Sequence, residues 1–137
     1  MKHLIFALLI ASISLTPAFA EKMTNQKQQE YIEDLAKYLR RGHWISGHED
    51  VSSSQFKVSK DFLDDYIKDE QNRRYESPLD GDEIADLYRC FYGTTCELYF
   101  IGVSSEYWGG YGEVGNFILL NLNSENHRRI SHTVYAE

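Results

Sequence analysis

The chain changes its hydrophobic period once, and the change falls at a cysteine. Before Cys96 apolar residues recur at three- and four-residue spacing; after it they run in short β-rich blocks. A chain ordered this way sets helices against a sheet rather than alternating strand and helix as parallel folds do.

Three helices are expected. Tyr31, Ile32, Leu35, Ala36, Tyr38 and Leu39 form one stripe, which predicts a helix over about residues 25–41. Asn25 and Gln28 supply a weak capping box, Glu30, Glu33 and Asp34 sit early, Lys37, Arg40 and Arg41 late, and Gly42 is the stop. Residues 43–55 read as a loop, because serine, glycine and charge break the period. Ser59 then caps a second helix that buries Phe62, Leu63, Tyr66 and Ile67. Its outer face pairs Asp64 with Lys68, Asp69 with Arg73 and Glu70 with Arg74. Asp80 and Glu83 open a third helix with the stripe Ile84, Leu87, Tyr88 and Phe91, ended by Gly93.

Strands are expected at Leu98–Val103, Phe117–Leu122 and Arg129–Tyr135, with a turn at 123–126 and a weaker strand near 56–58. The fold class is therefore α+β, with N-terminal helices packed on one face of a C-terminal antiparallel sheet. This order resembles the cystatin-like or NTF2-like layout of small exported proteins. The likeness is one of layout and implies no site residue or activity.

The first twenty residues read as a secretory signal peptide. Lys2 is the charged n-region, Leu4 to Leu15 a short apolar run, and Ala18-Phe19-Ala20 a small-x-small cleavage site. The run is shorter than the roughly 20 residues that span a bilayer, and no cysteine at the cleavage point offers a lipid anchor. Residues 21–137 are then a single periplasmic or secreted domain. In that compartment Cys90 and Cys96 should form a disulfide, locking the third helix's exit to the first long strand. Closing so small a ring contributes roughly 2–3 kcal/mol on chain entropy.

The whole chain carries 14 basic and 21 acidic residues, and the leader holds one lysine and no acid. The mature protein is thus net −8. Such a field opposes nucleic acid and anionic lipid and favours a basic protein partner.

The segment Glu106–Gly115, with four glycines and three aromatics between two strong strands, is the main candidate site. Read as a long loop, it offers Tyr107, Trp108 and Tyr111 as anchors and Glu106 and Glu113 as steering charges for a protein or sugar surface. The structural alternative is a wide hairpin whose aromatics fold back on the sheet edge. His43, His48, Glu49 and Asp50, with Trp44 among them, have metal-ligating chemistry in their imidazoles and carboxylates, but their spacing in a loop fixes no tetrahedral site, and no metal or other cofactor is expected. His127 and His132 differ by an odd number in a strand, which sends them to opposite faces, and His132 shares the parity of Ile130 and Val134. No Gly-x-Ser-x-Gly, His-Glu-x-x-His or phosphate-loop motif is present, and no enzyme activity is expected.

These features favour a small protein-binding protein of the envelope, in its most specific form an immunity protein or inhibitor of a toxin or cell-wall hydrolase. The alternative is a small-ligand binder with a pocket between helices and sheet.

Overall fold

In the computed structural model the described residues are 22–42, 51–72, 79–107 and 110–136. Residues 1–21 and the segment 43–50, with its candidate metal residues, lie outside them. The order is α1 (Asn25–Gly42), β1 (Val51–Lys57), α2 (Lys60–Asn72), α3 (Gly81–Tyr92), β2 (Cys96–Tyr107), β3 (Gly110–Asn121) and β4 (Asn126–Ala136). The strands form one antiparallel sheet in sequence order. The expected α+β class, helices packed against an antiparallel sheet, is what the chain adopts. No helix among the described residues is long and apolar enough to cross a membrane.

Local chemistry accounts for the helix starts. Asp80 accepts the Glu83 N–H at 2.7 Å while the Glu83 carboxylate accepts the Asp80 N–H at 3.1 Å, the expected capping box. Ser59 Oγ accepts the Phe62 N–H at 3.1 Å and caps α2. At α1 the cap is Thr24, whose Oγ1 accepts the Lys27 N–H at 3.2 Å. Asn25, expected in that role, is the first helical residue, because Gln28 turns its amide back to the Met23 carbonyl at 3.1 Å instead of closing a box.

The helices divide between the sheet's faces, where sequence reasoning had set them together on one. Leu98, Phe100, Phe117 and Ile130 pack with Leu63, Ile67 and Leu87 of α2 and α3. Ile101, Val103, Ile118 and Leu120, the alternate residues of the same strands, pack with Ile32 and Ala36 of α1. Continuous apolar strands imply burial on both sides, and that is the physical reason for the split. Cys90 and Cys96 are joined, with Cα atoms 5.1 Å apart, so α3 is tied to the start of β2 as expected. Asp86 of α3 pairs with Arg89 at 2.5 Å and with Arg128 of β4, clipping the helix to the far edge.

Two further expectations are corrected. Residues 51–55, read as loop, belong to β1, which pairs along its length with β2 from Val51↔Ser105 to Lys57↔Tyr99. Backbone pairing to a preformed neighbour overrides the weak strand propensity of three serines. Asp64 is not paired with Lys68: it accepts from Lys60 Nζ and from Tyr88 Oη, both at 2.6 Å. The packing of α3 beside α2 brings Tyr88 to it. Those bonds hold the Asp64 carboxyl below the usual carboxylate range, and the bond to Asp64, with burial, pushes the Tyr88 phenol up to about 12. Arg73 and Arg74 lie outside the described residues.

Candidate functional site

The described residues of the candidate segment are strand. β2 and β3 remain paired through Ser104↔Glu113, Glu106↔Tyr111 and Tyr107↔Gly110, where a loop over 106–115 was one expectation. Glycine does not end these strands, because an antiparallel ladder needs only backbone groups to continue. Glu106, Tyr107, Tyr111 and Glu113 thus occupy defined rungs on one two-stranded arm, while Trp108 lies outside the described residues.

Inward from the Tyr107↔Gly110 pair, the sheet's composition changes by rows. On the face shared with α2, one row reads Phe56, Phe100, Phe117 and Ile130, held by Phe62 and Tyr66. The next row toward that pair reads Ser54, Gly102, Gly115 and His132, and the one after it begins Ser52, Ser104 and Glu113. Ser52 and Ser104 join their hydroxyls at 2.9 Å. Gly102 and Gly115 face each other and leave bare backbone between them. A β-carbon at Gly115 would lie 3.0 Å from both Phe100 Cζ and Tyr66 Oη. One at Gly102 would meet Ser54 Oγ at 3.4 Å and a Glu113 carboxylate oxygen at 3.5 Å. The glycines therefore admit Tyr66, Phe100 and the Glu113 carboxylate onto the sheet surface. His132 is buried at 2 % exposure with its ring edge-on to Tyr66 at 6.3 Å.

The opposite face is also polar in this half. Buried Asn116 donates to the Ile101 carbonyl at 3.0 Å and accepts from Ser131 Oγ at 2.8 Å. Beside it a shallow groove of about 300 Å³ runs under Tyr38 and Leu39 of α1 to Arg129. His127 lies on this face and His132 on the other, as their odd spacing predicts. The Tyr31 hydroxyl meets His127 Nδ1 at 2.6 Å. Burial, then the Arg129 charge, holds the imidazole below its ordinary value, and burial raises the Tyr31 phenol. Among the described residues no three His, Cys, Asp or Glu side chains gather as a metal site.

A second concavity lies between a helix and the sheet, as the small-ligand reading expects, at residues the sequence does not single out as a site. Between α1 and β1 lies a groove of about 440 Å³ lined by Asn25, Gln28, Gln29, Gln55, Lys57 and Tyr99, among others. Gln28 is 5 % exposed, and its amide is fixed by the Met23 carbonyl and by the Tyr99 hydroxyl, which donates to Gln28 Oε1 at 2.9 Å. Burial raises the Tyr99 phenol. The sequence held one signal: Gln28 stands four residues before Ile32 and eight before Ala36, a polar group on the helix's buried stripe.

No family model matches this chain, and neither a curated protein nor a solved structure is significantly similar to it.

Proposed function

We propose that the mature chain is a small exported protein-binding protein that docks through the β2–β3 arm. Its specific form is an immunity protein or inhibitor of a cationic envelope-acting toxin or cell-wall hydrolase. The observation that carries this reading is the continuous ladder to Tyr107↔Gly110. An arm whose backbone is already ordered loses little entropy when it enters a cleft, which favours tight binding. Its rungs hold Glu106, Tyr107, Tyr111 and Glu113, and Trp108 follows Tyr107 in the sequence; aromatic anchors flanked by acids suit a basic cleft. The net charge of −8 on the mature chain speeds encounter with such a partner.

The test is capture of envelope and culture-supernatant proteins on immobilised mature protein, with Trp108→Ala beside it. One abundant cationic hydrolase or toxin should be retained, and the substitution should weaken it by about 2 kcal/mol or more with the fold intact. Unchanged capture by the variant removes the arm from the mechanism. The second reading, a small-ligand binder, has the α1–β1 groove in its favour, since its volume lies within the range of small-molecule sites. A melting shift with sugars or amphiphiles, and none with proteins, would select that reading.

A further inference from the structure

β1 is the first strand of the sheet, so among the described residues its outer edge has no strand beside it. One hydrogen bond fixes which backbone groups face that way. The Val58 N–H donates to the Leu98 carbonyl at 2.9 Å, one step beyond the Lys57↔Tyr99 pair. Antiparallel partners alternate between pairs that exchange hydrogen bonds and pairs that do not. Phe56, Ser54 and Ser52, which share the parity of Val58, therefore bond inward to β2. Ser53, Gln55 and Lys57 turn their N–H and C=O groups outward.

The α1–β1 groove opens beside that same edge. Gln55 and Lys57 line it from the strand, and Asn25, Gln29 and Glu33 line it from the helix. The amides of Asn25, Gln29 and Gln55 each offer a donor and an acceptor and bond no other described side chain, whereas buried Gln28 is committed to Met23 and Tyr99. Lys57 is matched by Glu97 at 2.8 Å and Lys27 by Glu125, so among the described residues lining the groove Glu33 is the charged side chain without an ion pair. A row of outward backbone groups under a helix, with free amides above it and a negative wall, has the chemistry that recognises an added strand.

We propose that the outer edge of β1 binds a basic, extended peptide segment of a partner protein as a fifth strand, seated between β1 and α1. The inference rests on the protein-binding reading but not on the arm. A neutral sugar would use the amides and leave the backbone row idle. A second copy of this chain would bring its own net charge of −8 against the first.

The test is residue-resolved amide hydrogen exchange on the full mature protein, with and without a short capped peptide of alternating lysine and threonine. The Ser53, Gln55 and Lys57 amides should exchange about tenfold slower or more when the peptide is present, while those of Ser54 and Phe56 are slow in both states. The same peptide N-methylated on the edge-facing nitrogens should give no such protection. Gln55→Pro should also abolish it with the sheet intact, because the N–H it removes makes no ladder bond. If that variant does not fold, the N-methylated peptide decides. No protection with the parent peptide overturns the proposal. So does protection of the three amides in the free dilute protein, which means the chain covers its own edge, or protection that rises only with protein concentration, which means a second copy. Trp108→Ala should leave the edge result unchanged. Edge protection without Trp108-dependent capture sinks the arm alone, and the converse sinks the edge alone.

Discussion

Two adjacent rows on one face of the sheet are built on opposite terms. Phe56, Phe100, Phe117 and Ile130 form a row of apolar contact, with Phe100 and Phe117 ring centres 5.2 Å apart. The next row, Ser54, Gly102, Gly115 and His132, shares the sheet and the covering helix, yet two of its four residues have no side chain and a third is a buried imidazole. The first row is what burial of apolar area selects. The second gives up that area where a small domain has little to spare. Breaks in local consistency of this kind concentrate where a protein does something other than fold. The far row lies between the packed core and the arm proposed to bind.

The comparison breaks most sharply at Phe117. Its side chain is fully buried, so Phe117→Ala should cost about 3–5 kcal/mol in denaturant unfolding while the remaining folded protein still captures its partner. A loss of capture in molecules shown to be folded would erase the division between rows. Next in size is the disulfide. Replacing both Cys90 and Cys96 by alanine should lower stability by roughly 2–3 kcal/mol without touching the far row. Gly115→Ala tests that row directly. Its new methyl would press on Phe100 and Tyr66, each 3.0 Å away, and overpacking of this kind costs about 1–3 kcal/mol. An unchanged melting temperature would mean that both rings can give way, and that close approach is not why glycine stands there.

Which parts were legible in the sequence follows from how local their causes are. The Asp80–Glu83 box, the Ser59 cap and the Cys90–Cys96 bridge each depend on residues within a few positions, and each is present as read. The opposite faces of His127 and His132 follow from strand parity alone. β1 was legible only at its Phe56 end, because three serines become a strand through β2's backbone, which lies some fifty residues on. At the arm the glycines leave both a loop and a hairpin open, and the paired partner strand, which lets them continue the ladder, decides for the hairpin side. The split of the helices was available in the unbroken apolar runs of β2 and β3. Gly102 inside one of those runs marked a close approach, but its partners Tyr66 and Glu113 come from other elements, and spacing along one strand does not reveal them.

The smallest expected effect separates the near end of the sheet from its far end by pH. His127 sits opposite Leu120, within the α1-covered half, and bonds Tyr31. Its imidazole is held below the ordinary 6.5, first by burial and then by Arg129. Because the folded value is the lower one, the unfolded chain takes up the proton first. This group's contribution to stability is therefore complete above pH 6.5 and is lost as pH falls through the folded value. Asp64 and Asp86, whose carboxyls are depressed by hydrogen bonds to Lys60 and to Arg128, act in the same direction in a lower window. Their contribution is present above the ordinary 3.8 and lost as pH falls through their folded values. Melting temperature followed downward from pH 7 should thus decline in two stages, and His127→Asn should flatten the upper one and leave the lower one in place. His127 is only half-buried, so the upper stage should be smaller than any of the three losses above. An upper stage that persists in the variant would mean that the His127 imidazole is not the group behind it.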